Sequence, residues 1–146
     1  APGKGQGGRH AAAGIEGKRI LVAEDNELNR MILLSVLQER GCLLTEAVNG
    51  QEAVDIFEAS PAHAFDLILM DVQMPVMDGY EAARRIRQCG HPDARSVPIF
   101  AVTANAFQED LDKALAAGMD DALTKPLDIG KLLDKIGRLE MGRGTT

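Results

Sequence analysis

The chain predicts an α/β domain, a doubly wound parallel sheet of five strands with helices on both faces. Three observations carry this. Apolar runs of strand length alternate five times with amphipathic stretches of helical length, the connections between them are short, and four of the apolar runs end in polar, chemically capable residues. Right-handed βα crossovers then favour a switch point beside the first strand, which gives the sheet order 2-1-3-4-5.

The strands are expected at 19–24, 43–47, 66–70, 97–102 and 121–124, and the helices at 27–40, 50–59, 79–89, 106–117 and 128–139. Asn49 with Glu52, and Asp78 with Glu81, have capping-box spacing at helix starts, while Gly41, Gly90 and Gly118 stand where helices should end. The last helix carries the clearest stripe, with Ile129, Leu132, Leu133, Ile136 and Leu139 on one face.

Before the first strand, residues 1–17 are Gly- and Ala-rich without apolar periodicity and read as a flexible linker. The domain is expected to span 18–139, with 140–146 as a frayed tail. Those roughly 125 residues suffice for a single core. Four Phe, one Tyr and no Trp leave the core to aliphatic side chains.

The formal charge is −6, and residues 1–18 carry a net +2, so the remainder is strongly acidic. Such a surface argues against a nucleic-acid partner, whose footprint should be basic. Cys42 and Cys89 match no metal-ligand spacing and read as reduced small hydrophobes. No run approaches the ~20 apolar residues of a membrane span, so a cytoplasmic domain without direct membrane contact is expected, whatever anchors its parent chain.

The four polar strand ends converge on one edge of the sheet: ILVAED (20–25), LILMD (67–71), IFAVTA (99–104) and ALTKP (122–126). Strand two ends in Glu46-Ala47-Val48 and offers less, as suits an edge position. Glu24 and Asp25 at the end of an apolar strand would repel each other, and a hard cation relieves that repulsion. An oxygen-only ligand set suits Mg²⁺ better than Zn²⁺. One of the pair is equally placed to cap the next helix, as is Asn26.

Asp71 ends what should be the most buried strand. It fits a nucleophile toward phosphorus, a third metal ligand or a turn residue. Thr103 fits a hydroxyl donor to a phosphoryl oxygen or an ordinary strand end; Lys125 fits a compact cation for the same oxygens or a solvated lysine. The Lys125-Pro126 bond is a candidate for cis geometry.

In order and spacing, ILVAEDN (20–26), MDVQMPVMDG (70–79), VTANA (102–106) and AGMDDALTKP (117–126) resemble the receiver domain of two-component response regulators over about residues 18–139. The resemblance implies the flavodoxin-like (βα)5 sandwich and phosphoryl transfer from a phosphohistidine to Asp71, assisted by the domain itself. It also implies Mg²⁺, with Mn²⁺ as a substitute, held by Glu24, Asp25, Asp71 and the backbone carbonyl of Gln73. Thr103 and Lys125 would contact the phosphoryl group, and a conformational switch would follow as Thr103 and its loop move toward it.

The implied partner is a histidine kinase dimerisation domain or a His-containing phosphotransfer domain, docking near Met31, Pro126 and the first helix. The wording of EDNELNRM and MDVQMPVMDGYEAARRIR is most like receivers at the C-terminus of hybrid histidine kinases. One departure stands out: Ala122 occupies the position, three before the lysine, where the family commonly has Tyr or Phe, which puts the aromatic part of the switch in doubt. Two other classes stay open. A Mg²⁺-dependent aspartyl-phosphate hydrolase would place its carboxylates as DxD, whereas residue 73 is Gln; a pseudo-receiver would be a non-phosphorylated interaction module.

Overall fold

The computed structural model describes residues 15–105 and 107–144. Strands β1 (Arg19–Ala23), β2 (Leu43–Ala47), β3 (Leu67–Asp71), β4 (Ile99–Thr103) and β5 (Asp121–Thr124) alternate with helices α1 (Glu27–Glu39), α2 (Gly50–Ala59), α3 (Gly79–Gln88), α4 (Gln108–Ala116) and α5 (Ile129–Gly144). All strand pairs are parallel, in the order β2-β1-β3-β4-β5. The expected fold and sheet order are those observed.

Alternation along the strands sends side chains to two separate cores. Leu21, Ile68, Met70, Ile99 and Ala101 pack under α2, α3 and α4 with Val54, Phe57, Ala82, Ile86 and Ala114. Ile20, Val22, Leu67, Leu69, Phe100 and Leu123 pack under α1 and α5 with Leu33, Leu37, Leu132 and Ile136. A strand buried on both faces reads as a continuous apolar run, which is why LILMD and IFAVT are buried throughout while edge strand β2 is half exposed.

Local signals set the boundaries. Asn49 accepts from Glu52 N–H at 2.7 Å and Asp78 from Glu81 N–H at 2.9 Å, as their spacing predicts. The reciprocal halves differ, because Glu52 accepts from Val48 N–H and Glu81 is held by Arg84 and Arg85. Gly41 and Gly118 turn the chain at φ +87° and +95°, where a Cβ would be strained, but Gly90 has no positive φ and lies beyond a Cys89 C-cap. Strand β4 starts at Ile99 rather than 97 because Pro98 has no N–H for the ladder. Residue 106, the expected start of the fourth helix, lies outside the described residues.

Ordered structure extends beyond the expected 18–139 at both ends. Ile15 is fully buried in the α1/α5 core, its carbonyl accepts from Lys18 N–H at 3.1 Å, and Gly17 N–H donates to the Gly41 carbonyl at 2.8 Å. Residues 15–17 therefore pack on the domain instead of belonging to a linker; residues 1–14 lie outside the described residues. At the other end α5 continues past 139 to Gly144, with no proline in the segment to stop it.

Candidate functional site

Each site residue stands at the C-terminal edge of a strand, placed there by the parallel register. Glu24 follows β1 and its backbone N–H still bonds Ala47 across to β2, at 3.1 Å. Its carboxylate turns inward, 4% exposed, and accepts from Asn26 N–H at 3.0 Å. Asn26 itself caps α1, accepting from Asn29 N–H at 2.9 Å. The cap therefore falls to Asn26, and both carboxylates are left for another task. Asp25 is exposed.

Asp71 ends β3, 2% exposed. One carboxylate oxygen accepts from Gln73 N–H at 3.1 Å, and the other lies 3.0 Å from the Lys125 Nζ. Lys125 reaches the site from the end of β5, where its own N–H bonds the Thr103 carbonyl at 2.8 Å and the bond to Pro126 is cis. Its ammonium is also 3.5 Å from Glu24 Oε1. Oxygens of Glu24, Asp25 and Asp71 lie within 4.8 Å of one another, the one such group of potential ligands among the described residues.

The electrostatics are unbalanced, three carboxylates against one ammonium. Burial raises the Glu24 carboxyl above its ordinary value; the Asn26 N–H works against this, and the charge and hydrogen bond of Asp71 add to it. Burial opposes the Lys125 ammonium, but the Asp71 hydrogen bond and charge, with help from Glu24, outweigh it and the net shift is upward. Hard oxygen donors, crowded and under-compensated, fit a divalent cation of the Mg²⁺ kind.

Above this floor opens a cleft of about 580 Å³, lined among others by Asp25, Gln73, Asp78, Tyr80, Thr103 and Lys113. Thr103 is nearly buried and its hydroxyl accepts from Asn105 N–H at 3.3 Å. Thus Glu24, Asp25, Asp71 and Lys125 meet directly, and Gln73 and Thr103 form the wall beside them. Ala122 pairs with Ala101 across the β4–β5 register and is only partly buried.

Some participants were not foreseen. Arg30 donates to the Glu24 carbonyl at 2.8 Å and to Glu46 at 3.1 Å, tying the ends of β1 and β2 together. Its one sequence signal is a cation in the first turn of a helix, where the helix dipole disfavours it. Tyr80 reaches the cleft from α3, its hydroxyl 3.5 Å from the Asp110 carbonyl.

Comparison with known sequences decides what this arrangement belongs to. The profile of the response regulator receiver domain matches residues 20–137. The chain belongs to this family. It is a receiver domain of two-component signalling, 40% identical over 113 residues to hybrid signal transduction histidine kinase I of Dictyostelium discoideum and 43% identical over 116 residues to two-component response regulator ORR41 of Oryza sativa subsp. japonica. The match covers 76% of this chain but 6% of the first relative, and 78% of this chain and 87% of the second.

Solved receiver structures agree. The receiver domain of Ssk1 from Saccharomyces cerevisiae, solved with the histidine phosphotransfer protein Ypd1, superposes with a TM-score of 0.77 at 36% identity, covering 88% of this chain and 92% of that one. The receiver domain of a sensor histidine kinase from Pseudomonas aeruginosa PAO1, with a magnesium ion coordinated in its active site cleft, gives 0.75 at 40% identity over 85% of this chain and 98% of that one.

Proposed function

We propose that Asp71 is the phosphoacceptor of a phosphorelay, taking its phosphoryl group from a phosphohistidine on a partner domain. The observation that carries this reading is the buried Asp71 carboxylate, 3.0 Å from the Lys125 ammonium and within 4.8 Å of both Glu24 and Asp25. A lone buried carboxylate would need only its ammonium. Two more carboxylates beside it make sense when a cation and a dianionic group share the site.

In this reading Glu24, Asp25, Asp71 and the Gln73 carbonyl hold Mg²⁺, and Mn²⁺ replaces it. The metal supplies neutralisation of charge on the transferring oxygens. An Asp71 carboxylate oxygen attacks phosphorus as the phosphorus–nitrogen bond of phosphohistidine breaks, and the electron pair returns to the imidazole, which leaves carrying its proton. Lys125 shifts its ammonium from the carboxylate to a phosphoryl oxygen, and the Thr103 hydroxyl exchanges its acceptor role toward Asn105 for donation to another. Positioning does most of the work, because such transfers need little covalent help.

The partner is a His-bearing phosphotransfer or kinase dimerisation domain. Supporting this, Leu28, Met31 and Ile32 are 65%, 55% and 52% exposed on α1, directly after the metal-site carboxylates. Apolar side chains so placed suit the face of a partner helix. The parent chain is a hybrid histidine kinase in this reading. No helix among the described residues is long and apolar enough to cross a membrane.

Incubation with Mg²⁺ and a small acyl phosphate tests the assignment by mass spectrometry. One phosphoryl group per chain is expected, absent in Asp71→Asn. Labelling that persists in Asp71→Asn would remove the residue from the role, and multiple turnover on phosphate esters would indicate a hydrolase instead.

A further inference from the structure

We propose that Gly50 is a positioning residue for the metal and phosphoryl site, acting through the Met77 carbonyl on the β3–α3 loop that carries Gln73. The inference rests on the functional reading above, in which the Gln73 carbonyl is a ligand. Gly50 opens α2, on the neighbouring connection of the sheet, and a Cβ there would meet backbone atoms of Met77 and Asp78 first.

The first N–H groups of a helix have no partner inside it. In α2 the Glu52 N–H is taken by the Asn49 side chain, and the Gly50 N–H instead donates to the Met77 carbonyl at 3.1 Å. A Cβ on Gly50 would lie 2.3 Å from that same carbonyl oxygen and 2.9 Å from its carbon. These are backbone atoms, so they yield only if the loop moves. Gly50 has no positive φ; glycine is required for space alone.

The loop is held in a conformation it would not adopt unaided. Met77 N–H bonds the Pro75 carbonyl at 2.7 Å, closing a γ-turn around Val76, whose φ of +69° is unfavourable for a β-branched residue. Val76 is 80% exposed and its own side chain gains little by burial there, whereas Met74 and Met77 are buried in the core shared with Ala53 and Val54 of α2. The far end is fixed by Gly79 N–H to the Val72 carbonyl at 2.8 Å. Gln73 lies between these anchors. The helix start and the buried methionines hold the strained turn, and the turn fixes where Gln73 sits against Asp71.

Tyr80, the one tyrosine of the sequence, lines the cleft, so its fluorescence can follow a Mg²⁺ titration. Gly50→Ala is expected to raise the Mg²⁺ dissociation constant about tenfold, as loss of an outer supporting contact does, and to slow phosphorylation by acyl phosphate. The control is Gly118→Ala at the opposite edge of the sheet, where a Cβ is strained at φ +95° and meets Arg87. It should lower Tm and leave Mg²⁺ binding within about twofold of wild type. Should Gly50→Ala fail to fold, Val76→Gly decides: it frees the turn without touching the core and is expected to weaken Mg²⁺ binding about threefold with no loss of Tm. Mg²⁺ binding within about twofold of wild type in every folded variant overturns the proposal. A wild-type protein with no Mg²⁺ response overturns the functional reading and this inference with it.

Discussion

The two edges of the sheet carry similar numbers of charged groups and treat them in opposite ways. At the C-terminal edge Glu24 and Asp71 share the Lys125 ammonium, and Asp25 crowds in beside them as a third carboxylate. At the N-terminal edge the Arg87 guanidinium donates to the Gly118 carbonyl at 2.8 Å, the Ala94 carbonyl at 3.0 Å and Asp120 at 2.9 Å, while Asp120 also accepts from Ile99 N–H at 2.8 Å. Beside it Asp93 accepts from His63 N–H at 2.6 Å, and the buried His91 ring takes Asp93 N–H at 2.9 Å and bonds the Ser60 carbonyl at 2.8 Å. One edge closes its loops with matched donors and acceptors; the other withholds compensation. Stability and ligand chemistry have been assigned to different ends of the same strands, as expected of open parallel sheets.

The sharpest way to break this contrast is to remove Arg87. Arg87→Met keeps much of the aliphatic stem but leaves two carbonyls and a carboxylate without their donor, at a cost of about 2–4 kcal/mol. Chemical denaturation should show that loss, and Mg²⁺ affinity measured well below Tm should not change. A variant that lost both together would show that the edges are coupled.

At the opposite edge the sign reverses. Burial and Asp71 make the ionised Glu24 carboxylate unfavourable, so Glu24→Gln is expected to raise the stability of the metal-free domain while weakening Mg²⁺ binding. The pH dependence has a definite direction. Folded Glu24 keeps its proton above its ordinary value of 4.5, where the unfolded chain has released it. Metal-free wild type should therefore lose stability as pH rises from that value through the raised folded one, relative to Glu24→Gln. Thermal melts of both proteins in a chelator across the acidic range measure this, and parallel curves would refute it.

The layout of the fold was legible because short-range pattern decides it. Two-sided burial makes β3 and β4 continuous apolar runs, and the Asn49 and Asp78 caps mark helix starts by spacing alone. The candidate site was legible for a related reason: parallel register brings every strand end to one edge, so Glu24, Asp25, Asp71, Thr103 and Lys125 needed no long-range information beyond topology. What escaped depends on contacts between distant segments. Ile15 is a single apolar residue in a Gly- and Ala-rich run, so no period announces its burial. Arg30 meets Glu46 across two elements, and Gly50 reads as an ordinary helix-start glycine until the Met77 carbonyl is seen against it.

The smallest expected effect tests how local the unbalanced charge is. Asp78 lines the same cleft as Asp25 but already has work to do, capping α3 through the Glu81 N–H. Asn caps as well as Asp, so Asp78→Asn should change stability by no more than about 0.5 kcal/mol. Its carboxylate lies outside the group formed by Glu24, Asp25 and Asp71, and an exposed charge beyond the first ligands is screened by solvent and salt. Mg²⁺ affinity should then fall by less than about threefold at physiological ionic strength, far less than for Asp25→Asn in the same titration. If the two variants weaken binding equally, the charge excess belongs to the whole rim of the cleft, and the contrast between the sheet edges is one of field rather than of three particular carboxylates.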